Sequence, residues 1–255
     1  MQLPKEYTVK LPLERGSKGA AVKLLQEWLS LNECKLSIDG AYGAATEATV
    51  RKFQTKARIS ATGIVDEEAW NALLLPLRNA TRPLSTTAET FAQRVVAAAR
   101  QHLKSHPMEI GGQHAGPWVR LYMNGKEGRD WPWAAGFVTY IFAQASEGLK
   151  TDRNPLKPTA SCDILASQAA DKDILLSEKE IAKDAEKKKL LRPGAIFVVR
   201  AAKTSTDYIH TGIVTAVQDE YFETVEGNTN DGGDSEGYEV CRRLRGYGNK
   251  DFIVL

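Results

Sequence analysis

The sequence predicts an α+β fold in two parts: a small three-helix bundle, then a larger domain whose helices pack on an antiparallel sheet. Three observations predict it. Apolar residues recur at helical spacing through the first 76 residues, with glycine-containing turns between the stripes. A second set of helical stripes begins near residue 90. From Arg192-Pro193-Gly194 the pattern changes to short apolar runs between Gly, Asn and Asp turns, and helices followed by strands define an α+β domain.

In the first stripe Val22, Leu25 and Leu29 share a face with Trp28 beside them, and Ser17 is the expected N-cap. Asp39-Gly40-Ala41-Tyr42-Gly43 is a turn before a second helix opening near Thr46. Thr62-Gly63-Ile64-Val65-Asp66 is another, before a third helix carrying Trp70 and Leu73. There is an internal echo: Val22-x-x-Leu25-Gln26 recurs as Val50-x-x-Phe53-Gln54. Leu25, Phe53 and Trp70 read as core, since a spaced apolar stripe faces a core. Residues 77–88 lose the period and read as a linker, giving expected boundaries of 8–76, 77–88 and 89–255.

Phe91, Val95, Ala99 and His102 or Leu103 fall on one side of the next helix. A glycine-rich loop from Gly111 to Gly128 leads to Trp131-Pro132-Trp133, and residues 134–149 form an apolar helix closed by Gly148. Two more helical patterns lie beyond about residue 160, the second a lysine- and acid-rich run over 178–191 that reads as a solvated face. Strands are expected at Ala195–Val199, Ile209–Val217, Tyr221–Glu226, Tyr238–Leu244 and Phe252–Leu255.

Composition excludes several classes. Hydrophobic residues at 42% and charged residues at 26% are enough to fill a core in each part, so the chain is not disordered. A net charge of +2 is too balanced for nucleic-acid binding. No run approaches the roughly 20 apolar residues that span a bilayer, so no membrane insertion is expected. Nor is there the apolar stretch of about 7–15 residues that a secretory signal needs. The expectation is therefore cytoplasmic synthesis without a signal peptide. Cys34, Cys162 and Cys241 are too few and too scattered for a disulfide framework.

His210 is the first candidate for chemistry. Period-two alternation places His210, Gly212, Val214 and Ala216 on one face of their strand. The next strand ends Glu226-Gly227-Asn228, so Glu226 and Asn228 share a side if the extended geometry continues. An acid and an amide beside a histidine can orient the imidazole: one partner fixes the tautomer and leaves the other nitrogen free to take a proton. Such a base needs a nucleophile, and a thiol at a helix N-terminus is activated by the macrodipole and an adjacent histidine. The helix of that kind opens at Ala134, where a methyl group stands and no acyl-enzyme can form.

Two resemblances follow. Gly16-x-x-Gly19-x-x-Val22-x-x-Leu25-Gln26, Asp39-Gly40-x-Tyr42-Gly43-x-x-Thr46, Phe53-Gln54, Gly63-Ile64-Val65 and Trp70 resemble the three-helix peptidoglycan-binding domain over residues 12–75. Trp133-Ala134-Ala135-Gly136-Phe137-Val138 resembles the CHAP-type and related papain-like amidases at every element except the cysteine, whose place Ala134 takes. His210-Thr211-Gly212-Ile213-Val214, Glu226-Gly227-Asn228 and Pro193-Gly194 continue that resemblance in order. It implies a papain-like domain that hydrolyses an amide bond in the wall peptide through a thioester, without a cofactor. His210 would supply the proton to the leaving amine, with Glu226 and Asn228 supporting it and the backbone N–H groups opening the helix at Ala134 as oxyanion donors. Asp39 and Tyr42, with Trp131, Trp133 and Tyr122, are candidates for substrate contact. Two readings of Ala134 stand, a deliberate Cys→Ala substitution and a naturally inactive homologue, and the intact His210, Glu226 and Asn228 favour the first.

The rivals are weaker. His102 and His106 are four apart, a spacing that chelates metal, but Leu103-Lys104-Ser105 between them offers no catalytic glutamate and Pro107 ends the helix. The loop Asn228–Gly237 does not fit the EF-hand pattern. Cys162 precedes an apolar helix without a surrounding motif. A non-catalytic wall-binding protein is the remaining alternative. With no export signal, a hydrolase of this kind would reach the wall or periplasm by lysis, as a phage lysin, or by a contact-dependent route, as an antibacterial toxin. The toxin reading carries an immunity protein as a partner.

Overall fold

The computed structural model describes residues 4–32, 35–84, 90–149, 153–201, 207–230 and 237–255. Cys34, residues 85–88 of the expected linker and residues 231–236 of the Asn228–Gly237 loop lie outside the described residues. Helices come first and an antiparallel sheet follows, an α+β fold. The chain forms two compact units, one from Met1–Asn79 with Met108–Arg129, the other from Ala80–Pro107 with Asp130–Leu255.

In the first unit α1 (Ala20–Leu31), α2 (Ala44–Lys56) and α3 (Glu67–Leu73) bury Val22, Leu25, Trp28 and Leu29, then Val50 and Phe53, then Ala69, Trp70 and Leu73. Asp66 caps α3 by accepting from Ala69 N. The N-cap of α1 is Gly19, not Ser17. Ser17 Oγ instead accepts from Glu14 N at 3.1 Å and braces the turn before the helix.

The sequence echo is a repeated device. Gln26 Nε2 donates to Asp39 Oδ1 (2.8 Å), Ala41 O (3.2 Å) and Thr46 Oγ1 (3.3 Å), while its Oε1 accepts from Gly40 N (2.8 Å). Gln54 Nε2 donates to Ile64 O (2.8 Å) and Thr62 Oγ1 (3.2 Å), and its Oε1 accepts from Gly63 N (2.9 Å). Each buried glutamine thus clamps the turn that follows its helix. The clamped glycines have φ of 74° and 71°, a region costly for residues with a Cβ.

Two expectations fail here. Residues 77–81 continue as a helix, α4 (Leu75–Thr81), because Leu77 and Ala80 are buried and repay a helical turn that local periodicity does not announce. The stretch expected as a glycine-rich loop contains α6 (Pro117–Tyr122), with proline at its first turn, and packs in the first unit. Trp118 meets Trp28 edge to face at 5.8 Å, and Arg120 pairs with Glu27 (2.5 Å), Glu127 (2.8 Å) and Glu6 (3.5 Å).

The second unit opens with α5 (Phe91–Leu103), capped by a reciprocal Thr90–Gln93 box. It burials include Phe91, Val95, Ala99 and His102. α7 (Ala134–Ser146) packs beside α5, with Phe142 edge to face on Phe91 at 5.6 Å. α8 (Cys162–Ala170), α9 (Glu178–Lys183) and α10 (Ala185–Leu190) follow. The expected charged helix over 178–191 is split at Asp184, whose carboxylate caps α10 through Glu186 N and Lys187 N.

Among the described residues the sheet has the order β1-β6-β2-β3-β4-β5, antiparallel throughout. The strands are β1 (Leu175–Leu176), β2 (Ile196–Arg200), β3 (Tyr208–Val217), β4 (Tyr221–Thr229), β5 (Glu239–Gly246) and β6 (Lys250–Ile253). One face carries Phe197, Val214, Phe222 and Phe252 against Ile181 and Leu191. α7 packs on β3 and β4, which brings the start of that helix to the polar end of β4.

Candidate active site

His210 lies on β3 and is buried, with 2% of its surface exposed. Its Nε2 is 2.8 Å from Glu226 Oε2, a residue of β4 with no exposed surface. The register explains the meeting. Ile213 pairs with Val225, and the bare face of Gly212 is filled by Glu226 Cγ, where an added Cβ would stand at 2.7 Å. Gly212 therefore leaves the space through which the glutamate reaches the ring.

Glu226 is also held by Arg245 of β5, whose Nε donates to Oε1 (2.9 Å) and Nη2 to Oε2 (2.6 Å). Thr224 Oγ1 donates to Oε1 at 2.5 Å. Burial would raise this carboxyl, but the bonds from Arg245 and then His210 outweigh it and hold the group down to about 2. Glu226 is therefore an anion that only accepts, so the His210 proton sits on Nε2 and Nδ1 presents a lone pair. That Nδ1 is buried and has no hydrogen-bond partner. A buried polar atom left without a partner costs about 1–3 kcal/mol, so Nδ1 stands apart from the saturated carboxylate beside it.

Asn228 departs from expectation. It is buried, but φ is +57° and the β4–β5 register shifts between Glu226 and Thr229. The alternation that would put Asn228 beside Glu226 breaks at this irregularity, and the imidazole is bonded by Glu226. Between the two, Gly227 is pressed on α7: an added Cβ would lie 2.6 Å from Trp133 Cζ3 and 2.8 Å from Phe137 Cβ.

Ala134 is the first residue of α7 and is 5% exposed. The side chain of Trp133, at the N-cap, makes no capping bond. The first N–H groups of a helix have no partner within it, so this start can receive an anion.

The expected aromatic groove is corrected in part. Trp133 is fully buried, and Tyr122 is buried in the first unit, stacked on Trp118 at 6.4 Å, so neither offers a surface to substrate. Tyr42 is buried with its hydroxyl donated to Gly63 O at 2.7 Å, and burial raises its pKa. Asp39 is exposed but accepts from Ala41 N and Gln26 Nε2, which hold it below the usual range and tie it to the turn. Trp131 is half-buried.

The other thiols and histidines have different settings. Cys162, first residue of α8, is pushed up to about 12 by burial and then by Asp163, so it stays a thiol at neutral pH. His102 is enclosed, with Nε2 on Gln144 Oε1 at 3.0 Å, and burial drives it down to about 4 against that bond. No group of three or more metal-ligating side chains occurs among the described residues.

Sequence reasoning missed Arg245 and Thr224. The strand expected at Tyr238–Leu244 stopped two residues short of the observed end at Gly246, although alternation along Cys241, Arg243 and Arg245 would have put all three on one face.

The fold and site define a class: an α+β domain that carries a buried histidine–carboxylate pair on its sheet, preceded by a small helical bundle. Comparison with known proteins names the bundle. Residues 18–73 match the family model described as "Putative peptidoglycan binding domain". Among solved structures the chain is similar to the SleB N-terminal domain, at 26% identity over 26% of this chain and 93% of that one, with a TM-score of 0.26. It is similar too to a Burkholderia AP3 phage endolysin, at 28% identity and a TM-score of 0.26. That likeness covers 40% of this chain and 42% of the endolysin. No curated protein matches the chain.

Proposed function

We propose that this chain is the scaffold of a peptidoglycan hydrolase that cuts an amide bond of the wall peptide by Cys–His chemistry, with alanine in the nucleophile's place. The observation that carries the reading is His210, buried, with Nε2 on an ionised Glu226 and Nδ1 without a partner. The matched peptidoglycan-binding segment supports the substrate.

With cysteine at position 134, its proton passes to His210 Nδ1 and the thiolate attacks the carbonyl carbon. The oxyanion is met by backbone N–H groups at the start of α7. The imidazolium then gives its proton to the leaving amine, the C–N bond breaks and a thioester remains. Water, deprotonated by the same nitrogen, hydrolyses the thioester and restores the thiol. Glu226 holds the ring in one tautomer and stabilises its charge. A papain-like domain of the CHAP type is the scaffold this reading implies. Its natural setting is the cell wall, as an exported antibacterial effector with an immunity protein or as a lysin.

The test is digestion of purified peptidoglycan by Ala134→Cys beside the chain as given, with fragments identified by mass. Only the cysteine form is expected to release fragments, and Ala134→Cys with His210→Ala is expected to release none. If neither single form cuts, the chain is a wall-binding protein and the hydrolase reading fails.

A further inference from the structure

Glu226 is fully buried, and a buried carboxylate is costly unless hydrogen-bonded and paired with charge. Arg245 supplies the missing charge. It grips both carboxylate oxygens and shares Oε2 with His210, and its guanidinium lies over the Phe197 ring at 5.9 Å. The Phe197 ring is also the neighbour of His210, at 6.1 Å between centres. The guanidinium and the imidazole N–H therefore compete for one anion on one face of the sheet. We infer that Arg245 is a positioning residue for His210: it fixes Glu226 as an oriented anion and, by drawing on the same oxygen, limits how strongly that anion favours the imidazolium.

The inference rests on the hydrolase reading for its catalytic consequence, though not for its electrostatic one. Other charged and titratable groups around the array are few. Lys250 of β6 and Cys241 of β5 lie within electrostatic reach of Arg245 or Glu226. From α8 come Cys162 and Asp163, the latter accepting from Tyr208 N at 2.6 Å. From α5, Arg94 is spent on Ala145 O and Glu147 O, and His102 on Gln144. The first two turns of α7 carry only Tyr140. Arg245 is thus the cation that touches the glutamate directly.

The first measurement is an NMR titration of the His210 ring in the chain as given and in Arg245→Gln. Losing the competing cation is expected to raise the His210 midpoint by about one unit or more, while Arg245→Lys stays near the parent. In the Ala134→Cys background, Arg245→Gln should lower kcat about tenfold or more with KM within about twofold, and move upward the limb of the pH–rate profile that His210 governs. Arg245→Lys should restore the profile but only part of kcat, because one ammonium cannot grip both oxygens. An unmoved midpoint and profile, with only the melting temperature lowered, would show a merely structural arginine and overturn the inference. Should Arg245→Gln not fold, Arg245→Lys decides: full parental kcat in that variant overturns it. If Ala134→Cys itself does not cut, the hydrolase reading fails while the titration still judges Arg245.

Discussion

The glutamine clamps of the first unit and the His210 array of the second are both buried polar networks, yet they are finished differently. Gln26 and Gln54 use carbonyl and amide alike, each closing on its own glycine turn. The histidine array saturates its carboxylate and leaves one ring nitrogen bare. The glutamine side chains are satisfied at both polar atoms, whereas the imidazole is bonded at one nitrogen and not at the other.

That contrast can be broken. The largest effect is expected from Glu226→Gln, which removes the buried anion that His210, Thr224 and Arg245 share and leaves the partly buried Arg245 without its countercharge. A loss of about 3–5 kcal/mol in urea unfolding of the second unit is expected, and a loss under 1 kcal/mol would mean that the array carries little charge. Acid comes next, through His102. Folded, it resists protonation until about pH 4, whereas the unfolded chain takes its proton near 6.5. Its contribution is therefore whole above pH 6.5 and disappears as pH falls from 6.5 to 4, a loss of about 3 kcal/mol. Melting curves over that range should flatten in His102→Leu relative to the parent. Glu226 adds to the acid loss only lower down, between its ordinary value near 4.5 and about 2.

Smaller effects sharpen the comparison. Gln26→Leu should cost about 2 kcal/mol by orphaning Gly40 N and the acceptors around it, and Gln54→Leu somewhat less, since it makes fewer bonds. Equal costs would mean that the turns, not the clamps, set stability. Least of all, Thr224→Val should cost about 1 kcal/mol by removing one donor from Glu226. Thermal melts of the three variants side by side would rank them.

Much of the helical bundle was legible because its stripes, turn glycines and the echo of Val-x-x-apolar-Gln are local signals. His210 and Glu226 were legible for a different reason, the alternation along two neighbouring strands. What stayed hidden depended on packing at a distance. α4 is short and gains its reason from Leu77 and Ala80 being buried. α6 sits among glycines and is held by Trp28 and Glu27, about 90 residues earlier in the chain. Asn228 could not be placed because a register shift is a property of a strand pair, not of one strand. Trp133 and Tyr122 read as groove aromatics because a tryptophan stripe near a helix start looks alike whether it faces solvent or core.

The carboxylate of Glu226 also sets a direction for protons. It offers about four acceptor positions, and His210, Thr224 and the two nitrogens of Arg245 occupy them. Water has no seat there, so the proton on Nε2 is stranded at the end of a blind alley. Every proton that the ring gains or loses must pass through Nδ1. The stranded proton should therefore exchange slowly with solvent and stay visible as a downfield resonance when other imidazole protons have vanished.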